Sequence, residues 1–307
     1  MVSVAEKKEK SDMPAKGQSE QKQVCPVCSG SKLKTLFEKH GYPVVACEDC
    51  RLRFLDPKPD GATLAKIYNA TYFLGEPTPE AVARVEKLKR ATASLYVDRL
   101  VRFLKKKKGR ILELGCGKGE FLVEAKARGF DVNGIEFSPD ATAVANQRLG
   151  AQKVIAGTIE NSTFGDGSFD AVVFADVIEH VNDPLDFLKR VYALLQPDGI
   201  VFLATPSLDS WSAKLLGRNW MEYKIEHLYY FNERSIRIAL EKNNFGQVAI
   251  IPNVKVLSFD YITHHFQRYP VPFFTLLTRI LRKLTPNSLA NRHIQLVASG
   301  MIAVARK

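Results

Sequence analysis

The chain has 307 residues, of which 46% are hydrophobic and 25% are charged, and this balance excludes a fibrous or wholly disordered protein. Its formal net charge of +11 favours anionic partners such as phosphorylated molecules, nucleic acid or acidic lipid, although a solvated tail and surface lysines explain such a charge equally well. No apolar run reaches the roughly 18–20 residues that span a bilayer, and the N-terminus has no signal-peptide core, so we expect a cytoplasmic protein.

The first 60 residues divide into a tail and a cysteine-bearing unit. Residues 1–23 are rich in Lys, Glu, Ser and Gln, which predicts a disordered tail. Residues 24–60 contain two Cys-x2-Cys pairs separated by 18 residues, formed by Cys25, Cys28, Cys47 and Cys50. Two turns that each present two thiolates can enclose a tetrahedral zinc ion, and four protein ligands leave no open position. We therefore predict a zinc ribbon whose metal is structural and is needed for folding.

Residues 61–108 are predicted to be a helical connector between this ribbon and the rest of the chain. Apolar residues recur at helical spacing, for example at Leu88 and Leu95, and Pro77 and Pro79 interrupt the pattern. The connector ends in a run of four lysines that we expect to face solvent.

From residue 109 to the C-terminus, short aliphatic runs alternate with amphipathic ones. The runs that predict strands are 111–114, 132–137, 153–156, 169–175, 199–205, 247–252 and 295–305. The runs that predict helices are 121–129, 139–150, 184–195 and 233–245. This alternation predicts a Rossmann-like, doubly wound, mostly parallel seven-stranded sheet, with an apolar and basic insertion at about 258–290.

The first of these strands ends in a glycine loop. Residues 111–119 read ILELGCGKG, with glycines at alternate positions where the chain must turn into a helix. Glycine permits positive φ and close approach of a ligand, and the amides of the next helix point into the same space. Glu136 ends the following strand, where a carboxylate can accept hydrogen bonds from a ribose. Together these residues predict a nucleoside-containing ligand, and a tight turn beside a surface glutamate is the alternative.

Four stretches within residues 109–206 resemble the motifs of class I S-adenosylmethionine (SAM)-dependent methyltransferases. The spacing Glu-x-Gly-x-Gly-x-Gly resembles their first motif and departs from the GxGxxG of dinucleotide folds, although an NAD(P) oxidoreductase remains the competing interpretation of the loop. The other resembling stretches are GIEFSPDA, GTIENSTFGDGSFDAVVFADVIEHVNDP and LLQPDGIVFLATP. The resemblance implies a methyltransferase that uses SAM.

The same resemblance implies roles for individual residues. Glu113 and the glycine loop are expected to hold the methionine end of SAM, and Glu136 to hold the ribose. Phe137 is expected to flank the adenine, whereas Asp176 is expected near the sulfonium. The implied cofactor-binding set is Glu113, Gly115, Cys116, Gly117, Gly119, Glu136, Phe137, Thr158, Ile159 and Asp176, with the pair at 158 and 159 at the adenine edge.

Two histidines are the candidates for the chemistry. Methyl transfer mainly requires alignment of nucleophile and methyl group, and a base is needed only when the acceptor loses a proton. His227 is the candidate general base or substrate contact, and packing on neighbouring tyrosines is its alternative. His180 lies in DVIEH, and a similar acid-x-x-Glu-His stretch has a metal role in quinone O-methyltransferases. Asp176, Glu179 and His180 therefore suggest a divalent ion, and a helix-start hydrogen-bond network is the competing interpretation.

The acceptor is expected to be a small molecule, such as a sugar, a nucleotide sugar or a lipid-linked saccharide, because a zinc ribbon before this pattern resembles a bacterial group that acts on such compounds. Basic and aromatic residues in the ribbon keep an RNA-modifying methyltransferase open. A quinone or phenol O-methyltransferase and a non-catalytic SAM-binding module are further alternatives. Residues 270–284 predict an amphipathic helix that rests on a membrane surface, covers the site or simply packs on the protein.

Overall fold

The computed structural model describes residues 23–67 and 78–307. The predicted tail of residues 1–23 lies outside these ranges, apart from its last residue, and so does Pro77 of the connector. Within these ranges the chain forms one sheet of four strands and one of seven.

The small sheet is built mainly from the cysteine-bearing segment. Three of its strands follow one another in the chain and pair antiparallel, namely β1 (Leu33–Lys39), β2 (Tyr42–Cys47) and β3 (Arg53–Leu55). The fourth strand, β9 (Tyr229–Tyr230), comes from the C-terminal half of the chain and pairs with β3.

The large sheet has the predicted Rossmann-like architecture. Its strands are β4 (Arg110–Leu114), β5 (Asp131–Glu136), β6 (Val154–Ala156), β7 (Phe169–Ala175), β8 (Leu195–Pro206), β10 (Gly246–Leu257) and β11 (Ile294–Arg306). They lie in the order β10-β11-β8-β7-β4-β5-β6. Strand β11 is antiparallel to both neighbours, whereas β4, β5, β6, β7 and β8 pair in parallel. The glycine loop therefore begins in the middle of the sheet, where a change of strand order opens a crevice.

Two strands are longer than predicted. Strand β8 begins at Leu195 rather than at residue 199, because Leu195 already pairs with Phe169 before the Pro-Asp-Gly turn. Strand β10 continues to Leu257 rather than ending at residue 252, since Lys255 and Leu257 stay in register with β11. The second extension matters for the site, because it carries Lys255 to the edge where the glycine loop lies.

The helices follow the predicted order. They are α1 (Gly61–Ile67), α2 (Pro79–Leu104), α3 (Glu120–Ala127), α4 (Pro139–Leu149), α5 (Pro184–Leu194), α6 (Trp211–Leu216), α7 (Glu233–Lys242), α8 (Phe259–Arg268), α9 (Pro272–Leu284) and α10 (Asn287–Ala290). None of these described helices combines the length and apolarity that a membrane span requires.

Capping explains why α4 and α5 begin where they do. The Ser138 hydroxyl accepts a hydrogen bond from the Ala141 amide at 3.3 Å, and the Asp183 carboxylate accepts one from the Leu185 amide at 2.9 Å. A proline follows each cap at the first helical position, where its missing N–H costs nothing and its fixed φ suits the helix. Ser138 thus starts a helix directly after Glu136 and fixes the end of β5.

The ribbon shares a core with the large sheet. Buried Cys25 and Cys50 belong to the same apolar cluster as Phe174 of β7. The Leu55 amide donates a hydrogen bond to the Leu228 carbonyl at 3.0 Å, beside the pairing of β3 with β9. The cysteine-bearing unit therefore packs against the large sheet and shares its core.

The insertion at 258–290 consists of α8, α9 and α10. Helix α8 begins at the cap Ser258, whose hydroxyl accepts a hydrogen bond from the Tyr261 amide at 3.2 Å. Helix α9 packs beside α8, yet Phe273 and Leu284 on it are 70% and 76% exposed. The alternative that α9 is simply a packed helix is therefore incomplete, because its apolar side chains are not all covered.

Candidate active site

The four ribbon cysteines converge on one point. Their Sγ atoms all lie within 4.8 Å of one another, and the Cys25–Cys50 and Cys28–Cys47 pairs are 3.5 Å apart. Four sulfurs at the usual Zn–S distance in a tetrahedron lie roughly 3.8 Å apart, so the cluster fits zinc. The Gly30 amide donates to Cys28 Sγ at 3.4 Å, which orients that ligand as an outer-sphere partner does.

The glycine loop leaves β4 with three residues in the left-handed region. Gly115, Gly117 and Gly119 have φ of 67°, 54° and 80°, which L side chains rarely adopt. A Cβ at Gly115 would lie 2.7 Å from Val177, whereas one at Gly117 would meet nothing within 4 Å. The loop is thus closely packed below and open above, as a cradle for a ligand requires.

Glu136 closes the loop from the tip of β5. Its carboxylate is buried and accepts hydrogen bonds from the Gly117 amide at 2.7 Å and from the Ser138 amide at 2.9 Å. Each carboxylate oxygen has a second lone pair, so these two bonds fix the group without exhausting its accepting capacity.

Glu113 lies at the base of the loop, within β4, and its side chain is buried. One of its carboxylate oxygens has no hydrogen-bond partner, which is costly for a buried polar atom and points to a missing ligand. Burial, and then the carboxylates of Glu120 and Glu136, raise the pKa of Glu113 well above its usual range. A cationic ligand group at this point would stabilise the ionised form of Glu113 and lower its pKa.

The remaining residues of the implied cofactor set are placed around the loop in different ways. Phe137 is 62% exposed, so its ring is accessible to a ligand. Ile159 is 4% exposed and packs in the core, and Thr158 next to it is half-buried. The Cys116 thiol is buried against Gly134, and burial raises its pKa, which makes it a packing residue rather than a nucleophile.

Asp176 follows β7 with a φ of 55°, and its carboxylate forms an ion pair with Lys255 Nζ at 3.0 Å. The negative charge expected near a sulfonium is therefore shared with a lysine from β10. Sequence patterns had not singled out Lys255.

The two candidate histidines contact each other. The rings of His180 and His227 lie edge to face with centroids 4.7 Å apart. Each Nδ1–H donates to a backbone carbonyl at 2.9 Å, that of Glu226 for His180 and that of Glu222 for His227. These bonds leave Nε2 as the unprotonated nitrogen of each neutral ring. Burial lowers the pKa of His180 to about 4, and burial together with His180 lowers that of His227 well below its usual range.

Glu179 completes a potential ligand set with the two histidines. One ligand atom from each of Glu179, His180 and His227 lies within 4.8 Å of the others. The Glu179 carboxylate accepts a hydrogen bond from the Thr205 hydroxyl at 2.9 Å, and its other oxygen is buried without a partner. Burial, and then Asp176, raise the pKa of Glu179 to about 8. Asp176, the first member of the predicted ligand set, lies in an ion pair with Lys255, and the ligand atoms within 4.8 Å of one another are those of Glu179, His180 and His227.

Comparison with known proteins decides the family. Residues 87–250, more than half of the chain, match the family model described as a methyltransferase domain. The chain belongs to this family. The predicted class I SAM-dependent methyltransferase with a Rossmann-like sheet is therefore confirmed.

The curated relatives of the methyltransferase match about a third of this chain. A ubiquinone biosynthesis O-methyltransferase of Caulobacter vibrioides is 42% identical over 101 residues, which are 31% of this chain and 40% of that protein. The enzyme of the same name from Xanthomonas campestris pv. campestris (strain B100) is 36% identical over 102 residues, or 31% and 42% of the two chains. The chain thus spans about two fifths of the length of these curated relatives.

A solved structure shares the fold of the methyltransferase. A SAM-dependent methyltransferase from Archaeoglobus fulgidus has a TM-score of 0.50 and 18% identity, and the match covers 72% of this chain and 97% of that one. At this identity the likeness concerns the fold alone.

Several charged residues of the methyltransferase were missed by sequence reasoning. Glu222 and Lys224 form an ion pair of 3.1 Å beside the histidine pair, and Lys255 lies on the other side with Asp176. A signal was present, because acids and bases inside WMEYKIEHLYYF are unusual in a stretch whose aromatic residues are nearly all buried.

Proposed function

We propose that this methyltransferase transfers a methyl group from SAM to a small-molecule acceptor, such as a saccharide, a nucleotide sugar or a lipid-linked saccharide. The observation that carries the proposal is the buried, unpartnered oxygen of Glu113 beneath an open glycine loop that Glu136 closes. The names of the curated relatives, which are O-methyltransferases of ubiquinone biosynthesis, support a small-molecule acceptor.

The proposed cofactor contacts follow from this geometry. Glu113 and the amides of the glycine loop receive the charged methionine end of SAM. Glu136, already fixed by two backbone amides, accepts hydrogen bonds from the ribose hydroxyls. Phe137 covers one face of the adenine. When bound, SAM supplies an electrophilic methyl group on a sulfonium sulfur.

His227 is the proposed general base for the acceptor. Its Nδ1–H is held by the Glu222 carbonyl, which leaves Nε2 able to accept a proton. The lowered pKa keeps the ring neutral at pH 7, so the base is always in its accepting form although it is a weak one. The ring edge of His180 supports this orientation at 4.7 Å.

Replacement of His227 tests this role. His227→Ala should lower kcat on the true acceptor by a factor of about 10² to 10⁴, the usual contribution of a positioned base, and leave SAM affinity unchanged. His264→Ala, at a histidine whose side chain is 62% exposed, is the matched control. Unchanged turnover of His227→Ala would remove the residue from the mechanism, whereas unchanged SAM binding with no turnover on any acceptor would favour a non-catalytic SAM-binding module.

A second candidate is metal-assisted O-methylation of a quinone or phenol. The ligand atoms of Glu179, His180 and His227 within 4.8 Å of one another favour it, since neutral imidazoles and a carboxylate suit a divalent ion. Such an ion would lower the pKa of a bound hydroxyl. Activity that EDTA removes and Mg²⁺ or Mn²⁺ restores, with ribbon zinc unchanged, would support this candidate over base catalysis.

The four ribbon cysteines are proposed to hold a structural zinc ion. Their close approach and the Gly30 amide at Cys28 support this assignment. Metal analysis of the purified protein should give one zinc per chain, and less than a tenth of that would contradict the assignment. An RNA-modifying role for the ribbon would instead require RNA binding that weakens steeply as salt rises.

We further propose that α9 rests on an acidic lipid surface. Leu276 and Ile280 on this helix are 59% and 48% exposed, and residues 261–307 contain no Asp or Glu. Among the described residues, Arg279 and Lys283 on the same helix have no carboxylate within 4 Å. An exposed apolar face flanked by unpaired cations fits anionic lipid headgroups.

Vesicle sedimentation tests the contact. The protein should bind vesicles that contain phosphatidylglycerol. Leu276→Glu with Ile280→Glu should weaken this binding by at least about tenfold, because two aliphatic side chains that would be buried in the lipid are lost. Thr35→Glu with Leu36→Glu adds the same charge on the exposed side of β1 as a control. Failure of the wild type to sediment, or a dimer that the α9 substitutions dissociate, would contradict the proposal.

A further inference from the structure

A cavity of about 440 Å³ lies where the ribbon meets the insertion. Its walls come from the turn between β1 and β2, from the segment after α6 and from the end of α8. Its charged and aromatic lining residues include Lys39, Trp220, Tyr223, Lys224, Glu226, Arg268 and Tyr269. The volume is that of a small-molecule site, and three separate segments form it.

Positive charge dominates this cavity. Lys39, Lys224 and Arg268 line it, and Glu226 is the acid among its lining residues. Among the described residues, neither Lys39 nor Arg268 has a carboxylate within 4 Å, whereas Lys224 is paired with Glu222 at 3.1 Å. Lys39 and Arg268 are therefore two cations of one cavity without a carboxylate partner, and an anion bound beside them would be stabilised.

Two of these cations lie close to one aromatic ring. The Lys224 ammonium lies 5.2 Å from the centroid of the Tyr269 ring, and the Arg268 guanidinium lies 5.8 Å from it. Tyr223 lies deeper, where its hydroxyl accepts a hydrogen bond from Arg53 of β3. The cavity thus offers a flat apolar wall beside cationic groups, which suits a ring that bears a charged substituent.

One wall segment of the cavity also orients the candidate base, His227. The segment 222–226 contributes Lys224 and Glu226 to the cavity. The carbonyl oxygens of Glu226 and Glu222 accept the Nδ1–H hydrogen bonds of His180 and His227. A molecule bound in the cavity would therefore contact the segment that orients His180 and His227. A larger depression of about 610 Å³ along α4 has no charged side chain in its lining and lacks such a connection.

We propose that this cavity binds the phosphoryl group of the methyl acceptor, so that the acceptor is a phosphorylated compound, water-soluble or lipid-linked. The inference rests on the proposed methyltransferase function and narrows its substrate class. Lys39 and Arg268 hold the phosphoryl oxygens, and Tyr269 packs against the adjoining ring. Lys39 belongs to the ribbon, so the ribbon takes part in acceptor recognition.

Calorimetry with inorganic pyrophosphate tests the site on the full chain. Pyrophosphate should bind the wild type, and Lys39→Gln and Arg268→Gln should each weaken it by about tenfold, because each removes a charge-assisted hydrogen bond. Lys34→Gln on β1 and Arg102→Gln on α2 are matched controls, at exposed positions, that should bind pyrophosphate like the wild type. Absence of binding to the wild type, or equal affinity in all four variants, would overturn the proposal.

Two further probes identify the source of the phosphoryl group. UDP-glucose represents soluble acceptors, and vesicles that carry a polyprenyl phosphate represent lipid-linked ones. Binding of either, weakened by Lys39→Gln, supports the site, and binding of neither overturns it. SAM affinity is measured on the same samples. Intact SAM binding without pyrophosphate binding would refute the cavity alone, whereas pyrophosphate binding without SAM binding would refute the proposed function.

Discussion

The cofactor side and the acceptor side of this molecule are built in different ways. The cofactor side comes from one continuous segment, in which β4, the glycine loop and the tip of β5 place Glu113 and Glu136 together. The acceptor side draws on the ribbon, the turn after β7, the segment around His227 and the end of β10. The first is organised by backbone conformation, the second by contacts between distant side chains.

This difference has a consequence for stability. Glycines with positive φ and the bond from the Gly117 amide to Glu136 fix the core of the cofactor side, and none of these groups belongs to the ribbon. The acceptor side depends on the pairing of β3 with β9, which lies directly beside His227. Perturbation of the ribbon should therefore affect the acceptor side and spare the cofactor side.

Among the changes that separate the two sides, loss of the proposed zinc should have the largest effect. Cys28→Ser is expected to reduce turnover by on the order of a hundredfold, because displacement of β9 by about 1 Å misplaces His227. SAM affinity is expected to stay within about threefold, which corresponds to a change of about 0.7 kcal/mol in binding free energy. Turnover and calorimetric affinity are measured on the same preparation.

Thr35→Ala, at an exposed position of β1, is the control for this substitution. A Cys28→Ser protein that loses SAM binding as severely as turnover would show that the two sides are not separable.

Glu136→Ala should have the next largest effect, and on the opposite side. SAM binding should weaken by about 1–3 kcal/mol, from lost hydrogen bonds to a charged group, as measured by calorimetry. Pyrophosphate affinity should not change. Asp140→Ala, on the exposed face of α4, serves as the control, and equal SAM affinity in Glu136→Ala and wild type would disprove the ribose contact.

Glu113 gives a pH-dependent prediction. Its pKa is raised in the free protein, and a cationic cofactor end favours the ionised form, so bound SAM should lower this pKa. SAM binding should therefore release up to about one proton and become tighter as pH rises. Calorimetry in two buffers of different ionisation enthalpy measures the release, and Glu113→Gln should abolish it. Proton uptake on SAM binding would contradict the predicted fall in the pKa of Glu113.

The smallest expected effect concerns the ion pair that joins the two sides. Asp176 and Lys255 are partly exposed, with side chains 47% and 31% accessible, so solvent screens their attraction. Lys255→Gln should remove a repelling charge near the sulfonium and tighten SAM binding by about twofold, at the level of an exposed pair. Weaker SAM binding in this variant would mean that Lys255 contacts the cofactor directly.

The sequence predicted the two sides unequally for physical reasons. The bounds of β7, Phe169–Ala175, follow from one apolar run, and the glycine loop has a local spacing that needs no knowledge of the rest of the chain. Strand β9 has only two residues, which is too short for any periodic pattern. Lys255 was missed because the predicted strand stopped at residue 252. An ion pair between distant strands also cannot be predicted from the spacing of residues in the sequence.

The assigned roles of the individual site residues remain predictions. The structure brings Glu113, Glu136 and the glycine loop together, and it brings His180 to His227. The contact between His180 and His227 depends on two segments that are far apart in the chain. The sequence therefore predicted the two histidines as separate candidates.

The strand pairing between the ribbon and β9 also bears on how the chain is made. A nascent ribbon that has already captured its metal would emerge from the ribosome with one edge of β3 uncovered. That edge stays bare until residues 229 and 230 have been synthesised, and bare strand edges recruit foreign chains. Slow translation or a shortage of chaperones should therefore cause aggregation that starts at the N-terminus, even though the Rossmann-like half folds normally.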